Sequence, residues 1–107
     1  MEFRYVWVNY AANMQLTVES NRFNSAPRVD FYSGSTGYPT FTIDHNGTIG
    51  FSSVSGIKTI DVDFYCLIQQ IADNLEKLES DKLVLKLFIS HFQARGYKFE
   101  YFEQIEN

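Results

Sequence analysis

The hydrophobic period of this chain changes at Val62, and that change constrains the fold more than any other feature. Between residues 3 and 52 apolar side chains recur at every second position in several short runs, whereas from Val62 onward they recur at intervals of three and four. A period of two marks a strand with one face buried, and a period of 3.6 marks an amphipathic helix. Strands followed by helices predict the α+β class, with helices packed on one face of a mostly antiparallel sheet. At 107 residues the chain is expected to be one domain. Its 45% hydrophobic and 21% charged residues exclude disorder as the main state.

The first half reads as a β-meander of about five strands, over residues 3–10, 14–19, 28–32, 40–44 and 48–52. With Ala11-Ala12-Asn13 as a loop and Asn13 left-handed, Tyr10 lies opposite Met14, Val8 opposite Leu16 and Val6 opposite Val18. The hairpin around His45-Asn46-Gly47 is better specified. A two-residue loop would set Ile43 opposite Gly50, whereas a three-residue loop sets Ile43 opposite Ile49 and Phe41 opposite Phe51. The longer loop therefore wins, with Gly47 left-handed in a bulge. Residues 21–27 and 33–37 read as loops.

In the second half, Phe64, Leu67, Ile68, Ile71, Leu75 and Leu78 form one helical stripe, with Asp61 as N-cap and Asp63 in the first turn. Continuing the stripe would bury Asp81 and Lys82, so the phase breaks near Ser80 and a second helix covers about residues 81–95. That helix is apolar around most of its circumference, which predicts cover on more than one side, either as a central helix between the sheet and the first helix or by a partner on part of it. Gly96 caps its end, and residues 97–102 alternate as a C-terminal strand. The expected architecture is thus a meander, then two antiparallel helices on one face, then a last strand.

No residue pattern specifies a reaction. His45 and His91 have no second ligand at a metal-binding spacing and read as structural histidines. Cys66, the one cysteine, lies on the polar side of the first helix near Asp61 and Asp63, which disfavour a thiolate. Those two carboxylates are two residues apart on a helix start and read as caps rather than an acid–base pair. Gly34-Ser35-Thr36-Gly37 leads into a strand, unlike a phosphate-cradling loop. Asn46-Gly47-Thr48 matches a glycosylation sequon but is explained by hairpin chemistry. No cofactor, no metal and no enzymatic activity are expected.

The formal charge is −4 and it is unevenly placed. Residues 1–60 hold four acids and four bases, whereas residues 61–107 hold nine acids against five bases. An acidic half offers no footprint for a phosphate backbone, so nucleic acid is not expected as a partner. The start of the chain has no basic region followed by an apolar run, and no stretch approaches the ~18 apolar residues of a membrane span. With a lone cysteine, a reduced cytoplasmic setting is the simplest expectation.

The high aromatic share, 17%, gives the first strand its interest. In the register above, Phe3, Tyr5 and Trp7 face away from the core, beside Gln15, Thr17 and Glu19. Either they are interface anchors, or the sheet is covered on both faces, for example by residues 21–27 carrying Phe23. The leading expectation is a small acidic, non-enzymatic inhibitor, of the immunity or anti-defence type, that blocks a macromolecular partner. Phe3, Tyr5 and Trp7 are its aromatic anchors, and Asp73, Glu76 and Glu79 form an acidic face on the first helix. The alternatives are a self-associating accessory subunit, a homodimer for instance, and a single-stranded nucleic-acid module that would lack a basic rim.

Overall fold

The computed structural model describes residues 2–34, 37–51 and 62–106. The expected cap Asp61, Ser52 and loop residues 35–36 lie outside that set. Six strands, β1 (Glu2–Asn9), β2 (Met14–Asn21), β3 (Asn24–Ser33), β4 (Phe41–Ile43), β5 (Ile49–Phe51) and β6 (Glu100–Glu106), form a sheet of order β5-β4-β3-β2-β1-β6. Every neighbouring pair is antiparallel. Helices α1 (Val62–Asp73) and α2 (Leu83–Gln93), joined through a short 3-10 turn at Leu75–Lys77, complete the expected α+β fold. The last strand returns to lie beside the first.

The β4–β5 hairpin has the expected register, Ile43 opposite Ile49 and Phe41 opposite Phe51. Gly47 has φ +82°, and the Asp44 carboxylate accepts from the N–H groups of Asn46 and Thr48 at 2.9 Å each. The β1–β2 register departs from expectation by one residue. Tyr5 lies opposite Val18 and Trp7 opposite Leu16, and residues 10–13 make a four-residue connection with Asn13 at φ +54°. The Asn9 carboxamide oxygen accepts from the Ala12 N–H at 2.7 Å and takes up a turn donor. A slip of one residue exchanges the two faces of a strand. Phe3, Tyr5 and Trp7 are consequently core residues, only 3%, 2% and 6% exposed. Both faces of β1 are apolar, so periodicity could not choose between them. The three large rings remove more apolar area from water than Val6 and Val8 would, and they occupy the helix side.

Residues 21–27 also differ from expectation. β2 and β3 form a tight hairpin turning at Arg22-Phe23, where the Asn21 side-chain oxygen accepts from the N–H groups of Phe23 and Asn24. Phe23 stands 79% exposed and covers neither face. Pairing shifts between Asn21↔Asn24 and Glu19↔Arg28, a bulge that accommodates Pro27 where a ladder donor is dispensable.

The core joins sheet to helices through five phenylalanines. Phe31 stacks on Phe41 and Phe92, at centroid distances of 5.4 and 5.3 Å, and meets Phe64 and Phe88 edge-on. Such pairs contribute about 0.5–1.5 kcal/mol each beyond area burial. The α1 stripe is buried at Phe64, Ile68 and Ile71 and continues through Leu75 and Leu78. α2 meets the sheet through Phe31 against Phe88 and Phe92, and meets α1 through Phe64 against the same two rings. Leu85, Phe88, Ile89 and Phe92 face the core, while Leu83 and Leu87 remain exposed. Its end carries the expected Gly96 cap at φ +91°, with the Tyr97 N–H donating to the Phe92 carbonyl and the Gly96 N–H to Gln93. That cap occupies Tyr97, so the last strand starts at Glu100 instead.

Candidate functional site

Because the large rings turn toward the helices, the opposite face of the sheet takes the other residue of each alternating pair. Register places Arg4, Val6 and Val8 of β1 in rows with Gln15, Thr17 and Glu19 of β2, and with Phe102 of β6. The middle of this face is closed by polar neighbours. Gln15 donates to the Thr17 hydroxyl at 2.8 Å, and the Arg28 guanidinium pairs with the 8%-exposed Asp30 at 3.1 Å. Toward β6 the character changes. Val6 and Val8 are half-buried, and Tyr10 and Phe102 are exposed. Together with Arg4, Gln15 and Glu103 they line a groove of about 490 Å³. The groove is apolar with a polar rim, and it lies on the face of the sheet opposite the helices.

The strand that forms one wall of this groove is held by a polar cluster at its helix-side face. The Tyr5 hydroxyl donates to the Glu79 carbonyl oxygen at 2.9 Å. The Lys82 ammonium lies 4.3 Å from the Tyr5 ring centroid, donates to the Tyr101 hydroxyl at 2.9 Å and pairs with Glu103 at 3.2 Å. Burial pushes the Tyr5 phenol above its ordinary pKa, with Lys82 opposing and Glu103, Tyr101 and Glu79 adding to the rise. Burial draws Lys82 down, but its hydrogen bonds to Tyr101 and Glu103 carry it above its ordinary value. This cluster fixes β6 against the start of α2.

Asp73, Glu76 and Glu79 are exposed, as an acidic surface requires. They belong to the helix layer, so the fold does not bring them onto the apolar face. Asp73 and Glu76 instead share a shallow 200 Å³ cleft with His45 of the β4–β5 turn, whose Nδ1–H donates to the Ala26 carbonyl at 2.7 Å. Among the described residues no three His, Cys, Asp or Glu side chains are grouped to hold a metal ion, and no helix is long and apolar enough to cross a membrane. Cys66 is exposed, as expected. Sequence reasoning missed Tyr10 and Phe102. The signal was faint: Phe102 stands between Tyr101 and Glu103, and only the register shows which face each takes. Compared with protein-family models, with curated proteins and with solved structures, the chain has no match in any of the three.

Proposed function

We propose that this protein is a non-enzymatic binding domain that acts by occluding a macromolecular partner, a protein, through the helix-free face of its sheet. One observation carries the reading: Val6, Val8, Tyr10 and Phe102 border a 490 Å³ groove on a face that neither helix covers. Large aromatic groups at the centre of a patch with a polar rim are the usual energetic anchors of protein interfaces. The expected inhibitor role is retained with different anchors, since Phe3, Tyr5 and Trp7 belong to the core. The acidic residues Asp73, Glu76 and Glu79 then serve solubility or a separate contact. A Tyr10→Ser/Phe102→Ser double variant tests this. Both side chains are exposed, so the variant should keep its circular dichroism and its urea midpoint. A partner captured by the parent protein from native lysate should be lost, with a binding penalty above about 2 kcal/mol. Equal capture by the folded variant would refute the assignment.

Self-association is the second reading, favoured by the pairing capacity of β6. This strand pairs with β1 alone among the described strands. An antiparallel pairing of two copies about Phe102 sets Phe102 opposite Phe102, Glu100 opposite Gln104 and Tyr101 opposite Glu103, with no like charges facing each other. Light scattering on an eluting peak at tens of micromolar decides it. A monomer mass removes the homodimer.

A further inference from the structure

Trp7 has a second aspect besides filling the core. It lines a groove of about 320 Å³ between α2 and the approach to β6, together with Lys86, Ile89, Gln93, Phe99 and Tyr101. The Trp7 and Tyr101 rings are 4.8 Å apart and inclined at 36°, and with Ile89 and Phe99 they make the apolar part of the lining, where Tyr101 is the most exposed ring. Trp7 is only 6% exposed, yet its indole N–H donates to no described residue. A buried side chain that lines a cavity and carries an unused donor is a hydrogen-bonding site awaiting an acceptor. Two further donors line the same groove. The Lys86 ammonium makes no ion pair with any described residue, and the Gln93 carboxamide makes no hydrogen bond with one. No acidic side chain lines the groove, although the chain as a whole carries a charge of −4. The groove is thus lined by one cation, no acid and two further donors, on an otherwise acidic molecule.

We propose that this groove binds a small planar aromatic carboxylate. The ring lies against Tyr101 and Phe99 at the exposed edge of Trp7, and the carboxylate accepts from the Trp7 indole and Gln93 and faces Lys86. Charge-assisted hydrogen bonds give the anion its preference over a neutral ligand of the same shape. The volume stands at the lower end of small-molecule sites, which limits the ligand to one or two fused rings. The site is separate from the Tyr10–Phe102 groove, so each assignment stands or falls alone.

The sequence contains one tryptophan, so a nitrogen–proton correlation spectrum of the labelled protein shows a single indole N–H peak. Titration with 2-naphthoate should move that peak saturably, and 2-naphthamide should bind about tenfold or more weakly. Lys86→Gln, at an exposed position, should leave the rest of the spectrum in place and weaken 2-naphthoate by a similar factor. Tyr10→Ser/Phe102→Ser should bind it as the parent does. The proposal is overturned if the indole peak does not respond at millimolar 2-naphthoate, if the amide binds equally, or if Lys86→Gln changes nothing. It is likewise overturned if a short acidic peptide bearing one aromatic residue saturates the peak while 2-naphthoate does not, which would make the groove a peptide site.

Discussion

Tyr5 joins the hydrophobic and polar halves of this fold in one side chain. Its ring is 2% exposed and packs on Phe3, and its hydroxyl leaves the core to reach the Glu79 carbonyl. Tyr5→Phe keeps the packing and removes that bond, so stability at pH 7 should fall by about 1 kcal/mol, read from urea unfolding. The same residue sets an alkaline limit. Tyr5 and Lys82 both titrate above their ordinary values of 10.0 and 10.5 in the folded protein. The native state therefore keeps these protons after the unfolded chain has released them. The stabilisation is complete below those ordinary values and is lost as pH rises through the higher native ones. Urea midpoints should hold between pH 7 and 9 and drop by pH 11, less steeply in Tyr5→Phe. Identical slopes for the two proteins would show that Tyr5 plays no part. The sequence marks Tyr5 as one of three notable aromatics; its direction is decided by pairing with Val18, a contact thirteen residues away.

At the scale of the element, hairpins differ in how much of their geometry their own residues carry. The β4–β5 hairpin is legible because Asn46-Gly47 restricts the turn and only one loop length matches apolar residues across it. Gly47 at φ +82° would place a Cβ in a strained backbone, 3.7 Å from the Ala72 carbonyl oxygen. Gly47→Ala should cost about 1–2 kcal/mol in urea unfolding, and an unchanged midpoint would contradict the left-handed turn. The β1–β2 hairpin is not legible in the same way. Val6 and Val8 alternate with Phe3, Tyr5 and Trp7, and either set makes a satisfactory buried face. Its turn has no glycine to fix loop length, and the register follows from helices that arrive some sixty residues later. The β2–β3 hairpin was hidden by Pro27, which reads as a loop signal and is instead absorbed by a bulge. The helices were legible in phase and buried stripe because a 3.6-residue period is a local property. How far α2 is covered is not local, and Leu83 and Leu87 remain in solvent.

Over the whole molecule, class and element order follow from the change of period, but strand order does not. Nothing in residues 100–106 announces that they pair with β1, since contacts between distant segments leave no local trace. Both grooves depend on that pairing: Phe102 reaches one and Tyr101 the other because β6 lies beside β1 with alternate residues on opposite faces. A reading confined to the sequence could find the aromatics and could not sort them between core, face and groove. The pairing of β6 with β1 has a mechanical consequence. Glu2 lies opposite Glu106, so the two extremities of the described chain emerge at one corner of the sheet. A load applied between them opens the β1–β6 ladder one hydrogen bond at a time, like a zipper, rather than shearing all of its bonds together. In a single-molecule pulling experiment this molecule should part at low force, shedding its last strand while the β2–β3 hairpin still holds.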